Sequence, residues 1–159
     1  MVVMIDNLEK ELKQTKPFSS AEEAVALAIA VTSEHLRTAA VELFKSKDLT
    51  PTQYNVLRIL RGAGAEGLSC REIGERMITR DSDITRMLDR LEAQGLIARE
   101  RQKEDRRVVL TLISEKGLDV LAELDGPVKE MNERTLGHMT RQELEALSQL
   151  LKKARNPEG

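Results

Sequence analysis

The sequence predicts a mainly α-helical fold that carries one small β-hairpin. Three observations lead to this reading. Four Ser or Thr residues are each followed three positions later by Glu or Gln, a pairing that starts helices. Apolar residues recur at helical spacing along most of the chain. The segment 96–113 instead reads as two strands around a charged tip. With 159 residues the chain builds one ordinary core, or one core with helical extensions.

The capping pairs are Ser20/Glu23, Thr50/Gln53, Ser69/Glu72 and Thr140/Glu143. In each, the hydroxyl accepts from an early helical amide while the longer side chain reaches back to the cap. Pro51 strengthens the second start and ends whatever helix precedes it, so the chain breaks near Asp48 to Thr50. Between Glu22 and Lys47 apolar residues, many of them Ala, surround much of the helix, as expected where it is covered on more than one side. Val56, Ile59, Leu60 and Ala63 stripe the next helix, after which Gly62, Gly64 and Gly67 punctuate the chain. A short helix is expected from Cys70 to about Met77, with Ile73 and Met77 inward. Asp81 or Ser82 then opens a helix striped by Ile84, Met87, Leu88 and Leu91, and Gly95 ends it.

The two strands are Leu96 to Arg101 and Arg107 to Ile113, with the tip at Gln102 to Arg106. In the second strand Val108, Leu110 and Leu112 are expected on the more buried face. Ser114 caps a helix that the Gly126–Pro127 pair is expected to kink or interrupt. Leu144, Leu147, Leu150 and Leu151 form the stripe of the last helix. Ile5, Leu8 and Leu12 form a further stripe that suits a partner subunit, and Asn156 to Gly159 should fray.

Composition narrows the function classes. A single cysteine, Cys70, forms no internal disulfide, and with only His35 and His138 beside it there is no four-ligand zinc set. Neither a leader segment nor a membrane span is indicated, so the expected location is the cytoplasm. No Ser/His/Asp or Cys/His arrangement and no phosphate-binding loop is visible, so no enzyme and no cofactor is expected. Phe18, Phe44 and Tyr54 are the only aromatic residues, too few for base-stacking platforms. A net charge of -2 gives no global sign of nucleic-acid binding, so that reading rests on local pattern.

Helix, tight turn, helix and cationic hairpin is the order of a winged helix-turn-helix. The apolar stripe anchors the second helix and leaves Ser82, Asp83, Thr85, Arg86, Asp89 and Arg90 on the outer face, where a major groove would lie. The hairpin sets Arg99, Arg101, Lys103, Arg106 and Arg107 against Glu100, Glu104 and Asp105, a positive excess suited to an adjacent minor groove. Taken alone, Arg86 and Arg90 also read as surface charges paired with Asp83, Asp89 or Glu92, and for Arg90 that reading prevails. Cys70 reads as a partly buried thiol rather than a redox switch, and Met77, Met87, Met131 and Met139 as core filler.

The segments "DITRMLDRLEAQGLIARE" (83–100) and "EDRRVVLTLISEKG" (104–117) resemble the signature of the MarR family, and "LTPTQYNVLRIL" (49–60) and "MTRQELEALSQLL" (139–151) also fit. The resemblance covers nearly all of the chain beyond the first twenty residues. It implies a homodimeric regulator of double-stranded DNA, reading a pseudo-palindromic operator and acting as a ligand-responsive repressor. The implied organisation is an arm (1–20), a dimerisation helix (21–48), a winged helix-turn-helix (49–113), C-terminal dimerisation helices (114–155) and a tail (156–159). Carried over by position, Ser82, Thr85 and Arg86 contact bases or phosphates, Arg107 reaches the minor groove, Asp105 steadies the wing and Ser69 donates to phosphate, while Arg101, Lys103 and Arg106 add charge. Asp83 departs from the usual small or hydroxyl residue and is expected to cap the helix or to accept from cytosine. His35 by itself reads first as a plain surface or packed histidine, and with Arg37 it is the candidate contact for a small anionic or aromatic effector. The competing reading is a winged-helix module that binds protein through the same helix and wing.

Overall fold

The computed structural model of the chain describes residues 8–79, 83–102 and 107–156. In chain order the elements are α1 (Leu8–Glu11), α2 (Ala21–Lys45), α3 (Pro51–Ala63), a 3-10 turn (Gly64–Glu66), β1 (Leu68–Ser69), α4 (Cys70–Arg76), α5 (Ile84–Ala93), β2 (Ile97–Arg101), β3 (Val109–Ile113), α6 (Glu115–Leu136) and α7 (Arg141–Arg155). The fold is thus mostly helical with a small antiparallel sheet, in winged-helix order. The chain divides at Glu42/Leu43 into two compact units.

The first unit holds α1 and most of α2. Its cap differs from the expected box in one half. Ser20 Oγ accepts from the Glu23 amide at 3.2 Å, but the Glu23 carboxylate accepts from the amide and hydroxyl of Ser19 (2.7 and 2.5 Å). Val25 and Ile29 are 49% and 41% exposed. By length and composition α2 is capable of spanning a bilayer, with a mean hydropathy of 1.2 over a stretch of which only 6% is buried. The sequence contains no unbroken apolar run of that length; this helix passes on average hydropathy instead.

The second unit starts where α2 ends. Asp48 adopts a left-handed φ of 54°, which lets Leu49 N–H reach Phe44 O (3.1 Å) and Asp48 N–H reach Lys45 O (3.1 Å). Asp tolerates this conformation better than most side chains. Thr50 then caps α3 with both halves of the box present, and Pro51 opens the helix. Phe44 stacks on Tyr54 with ring centroids 4.2 Å apart. Around them Val56, Leu57, Leu60, Ile73, Leu91 and Leu121 are fully buried. Lys47 pairs with Glu123, and Arg61 forms a bidentate pair with Asp125 (2.9 and 3.0 Å), so the α3 region is tied to α6 by charge as well as by burial.

Three sequence expectations need correction. The Gly126–Pro127 pair does not interrupt α6, one helix from Glu115 to Leu136 with Pro127 inside it. Leu121 and Leu124, buried just before the proline, and the Arg61–Asp125 pair hold that part of α6 against α3 despite the lost amide donor. The sheet has three strands in the order β1-β3-β2, with Leu68 opposite Thr111 and Arg99 opposite Thr111 from the other side. The strand β1, only two residues long, has no counterpart in the sequence reading. The buried residue of β3 is Thr111, 2% exposed, while Leu110 and Leu112 are only partly covered. Alternation along one strand separates its two faces without saying which will be covered.

Candidate nucleic-acid interface

The candidate interface is built around α5. Met87, Leu88 and Leu91 are buried beneath it and fix its orientation, while Thr85, Arg86, Asp89 and Arg90 are exposed on its outer side. Upstream, Ser69 caps α4 with both halves of the box. The turn leaving α4 is held from α3, since Asn55 Oδ1 accepts the Ile78 N–H at 3.1 Å. Downstream, Gly95 ends α5 at φ 73°, allowing Gly95 N–H to reach Glu92 O (2.8 Å) and Leu96 N–H to reach Leu91 O (3.0 Å).

The start of α6 clamps that end. Ser114 Oγ donates to Gly95 O at 2.7 Å, and Lys116 Nζ donates to Gln94 O at 2.7 Å, placing a cation at the negative end of α5. Gly117 makes the approach possible, because a Cβ there would lie 2.3 Å from Leu96 O. The recognition element is therefore anchored by its buried stripe and by its C-terminus, leaving its N-terminal half to meet a ligand.

The charges are distributed differently from the sequence expectation. Arg86 Nε pairs with Asp83 Oδ2 at 3.1 Å, both side chains being at least half exposed. Asp83 occupies the cap position of α5, yet its side chain makes no capping bond, which removes one of the two roles foreseen for it. Arg90 has no ion-pair partner among the described residues, contrary to the pairing expected for it. Asp89 and Glu92 are one and two positions from Arg90 and so do not share its side of the helix; both face Arg99 on β2, Asp89 Oδ1 at 2.6 Å and Glu92 Oε2 at 3.6 Å. Arg99 thus turns onto α5 and does not add to the cationic face of the hairpin. Arg90 joins Arg86 as an exposed cation that the sequence reading left out of the site; its signal would have been a basic residue one turn beyond Arg86.

Between α5 and the start of α3 lies an open cleft of about 360 Å³ lined by Thr50, Thr52, Gln53, Asp83, Arg86, Met87 and Arg90. Two hydroxyls, one side-chain amide and two guanidinium groups converge there beside the Asp83 carboxylate, so donors for phosphate oxygens or base edges outnumber the single anion. Arg101 is exposed at the end of β2, where it is opposite Val109, and Arg107 is exposed before β3. Ser82, Lys103, Asp105 and Arg106 lie outside the described residues. Ser69 gives its hydroxyl hydrogen to Glu72 Oε2 at 2.7 Å, a bond that a phosphate contact would have to displace. The Ser69 amide and that hydroxyl hold the Glu72 carboxyl below the ordinary carboxylate range. In the first unit His35 is exposed and Arg37 is engaged in a bidentate pair with Glu34 (2.8 and 2.6 Å). Among the described residues no three His, Cys, Asp or Glu side chains converge on a possible metal position.

An anchored helix with a polar outer face, preceded by a short capped helix and followed by a hairpin, is the arrangement of a winged helix-turn-helix. The family model of the MarR family matches residues 49–109. Over 120 residues the chain is 31% identical to the HTH-type transcriptional repressor MdtR of Bacillus subtilis (strain 168), spanning 76% of each protein. The crystal structure of a MarR transcription factor from Planctomyces limnophilus is 36% identical, with a TM-score of 0.66, over 85% of this chain and 98% of that one. The same fold recurs at 24% identity, with a TM-score of 0.75, over 82% of this chain and 93% of a mutant MarR from E. coli complexed with operator DNA. This chain belongs to the MarR family.

Proposed function

We propose that the chain is a dimeric, cytoplasmic repressor without catalytic activity that reads a pseudo-palindromic operator in double-stranded DNA. The observation that carries this reading is the division of α5 into a buried apolar stripe and an exposed face bearing Thr85, Arg86 and Arg90. Thr85 and Arg86, with Ser82 and Asp83, are assigned to base edges and phosphates in the major groove; Arg90 and the first turn of α3 add phosphate contacts. Arg101, Lys103, Asp105, Arg106 and Arg107 form the wing's contribution, with Arg107 at the minor groove. Ser69 is assigned to the same surface.

The dimer is supported by apolar surface that the single chain leaves open. Val25 and Ile29 on α2 and Leu144 and Leu150 on α7 are 36–65% exposed. We assign residues 21–48 and 114–155 to dimerisation and 49–113 to DNA binding, with arms at 1–20 and 156–159. Repression would be relieved by a small anionic or aromatic effector near His35 and Arg37, which must displace Glu34 from Arg37. Such a ligand is expected to raise the melting temperature of the wild type and not of His35→Ala/Arg37→Ala.

The deciding experiment is enrichment of duplexes from a random library by the purified protein, with affinity measured at two salt concentrations. An inverted repeat with half-sites about one helical turn apart, roughly 34–36 Å, is expected, with affinity falling as salt rises. A folded protein that enriches nothing would transfer the helix and wing to the protein-binding reading.

A further inference from the structure

The hairpin and α5 are joined by a charge arrangement that neither element supplies alone. Arg99 stands midway along β2, opposite Thr111 at the buried centre of the sheet, and its side chain is 24% exposed. Its Nη2 donates to Asp89 Oδ1 at 2.6 Å. Its Nε, shielded from solvent, faces Glu92 Oε2 at 3.6 Å, an ion pair just beyond hydrogen-bond reach. Asp89 and Glu92 are one turn apart on α5 and border the face that carries Thr85, Arg86 and Arg90.

Two physical consequences follow. The C-terminal end of α5 is clamped by Ser114 and Lys116, so a second tie at Asp89 fixes how the hairpin is set against the middle of the helix. The planar guanidinium suits this task because it engages two carboxylates in fixed directions, which an ammonium does not. Arg99 also offsets the two carboxylates that would otherwise oppose Arg86 and Arg90 next to phosphates. Asp89 is 58% exposed and Glu92 43%, so the arrangement is too wet to lend the fold much stability. Its larger effect is on geometry.

We propose that Arg99 is a positioning residue for DNA recognition, holding the wing in register with α5 so that both engage one stretch of duplex. This rests on the DNA-binding reading above. Loss of Arg99 would leave the helix able to read its bases while the wing no longer meets the flanking minor groove at a fixed offset.

The test uses the full chain and a duplex enriched by the wild type, in two forms: with the recovered flanking base pairs set to A·T, and with the same positions set to G·C. The wild type is expected to prefer the A·T flanks by about tenfold. Arg99→Gln should bind the A·T form about tenfold more weakly, match the wild type on the G·C form, and so lose the preference. Arg99→Lys should restore it only in part, and the exchange Asp89→Arg/Arg99→Asp should restore more of it than Arg99→Gln retains. Circular dichroism checks each variant, and the exchange carries the test if Arg99→Gln loses its fold. A preference retained by Arg99→Gln, an equal loss on both duplexes, or a wild type indifferent to the flanks overturns the positioning role. A wild type that enriches no duplex overturns the DNA-binding reading itself, and with it this proposal.

Discussion

The winged region and the last helix spend their apolar residues in opposite ways. In α3, α4 and α5 the leucine and isoleucine stripes contain residues at complete burial, Leu57, Leu60, Ile73 and Leu91 being inaccessible to solvent. Helix α7 has an equally regular stripe, yet none of its residues is buried and Leu150 is 65% exposed. Between α6 and α7 this leaves an open, mainly apolar cleft of about 470 Å³ bordered by Val128, Leu136 and Leu144. An amphipathic stripe therefore states that a helix needs a partner, and not whether that partner is in the same chain. The winged region finds its partner internally, which leaves its polar face free for DNA; the open apolar face of α7 is the one we assign to another subunit.

This contrast can be broken most directly by deleting side chains on each side of it. Leu57→Ala should cost about 2–5 kcal/mol of stability in urea unfolding, because it removes methyl groups from a filled core and leaves a cavity. Leu150→Ala, at a dilution where the chains are separate, should change stability by no more than about 0.5 kcal/mol. Equal losses would erase the distinction. In the same spirit, Leu144→Glu/Leu150→Glu should convert a dimer to monomers in sedimentation at micromolar concentration while the helical signal persists; an unchanged mass would remove α7 from the interface.

Smaller effects sharpen the comparison from the DNA side. Arg86→Ala should weaken binding to an enriched duplex by about 1–3 kcal/mol with an unchanged melting temperature. Arg107→Ala should weaken it without unfolding the chain and lower the salt slope by about one. Undiminished affinity at matched salt would take the wing out of the mechanism. Thr50→Ala should cost about 1 kcal/mol of stability through loss of the α3 cap, and should disturb the cleft beside Arg90 as well.

The smallest effect is on pH. Arg61 holds the Asp125 carboxyl below its ordinary range, and the caps do the same for Glu72 and Glu143. A depressed carboxyl binds fewer protons folded than unfolded, so the stability it lends is fully present above about pH 4.5 and lost as pH falls through the depressed values. Asp125→Asn should therefore flatten the acid limb of a stability profile slightly and leave neutral pH almost unchanged, the pair being half exposed.

Much of the fold was legible because its signals are short in range. Thr50, Ser69 and Thr140 cap as their sequences require, and Gly95 ends α5 where a left-handed residue was needed. The exposed face of α5 was legible from its stripe, and so were the exposed Thr85 and Arg86. The roles of Arg99 and Thr111 were not. Each depends on which strand or helix lies alongside, and period two along β3 places two faces without saying which will be covered.

By itself the sequence determined the helices, their caps, the hairpin and the family, since all of these follow from residue choices within one or two turns or from a recognisable order. Only the tertiary structure decided that Thr111 would be the buried residue of β3, that α6 would pass through Pro127, and that Arg99 would turn to Asp89 and Glu92. The reason is physical: caps and turns satisfy donors a few residues away, whereas the fate of a long charged side chain is set by carboxylates that folding brings beside it.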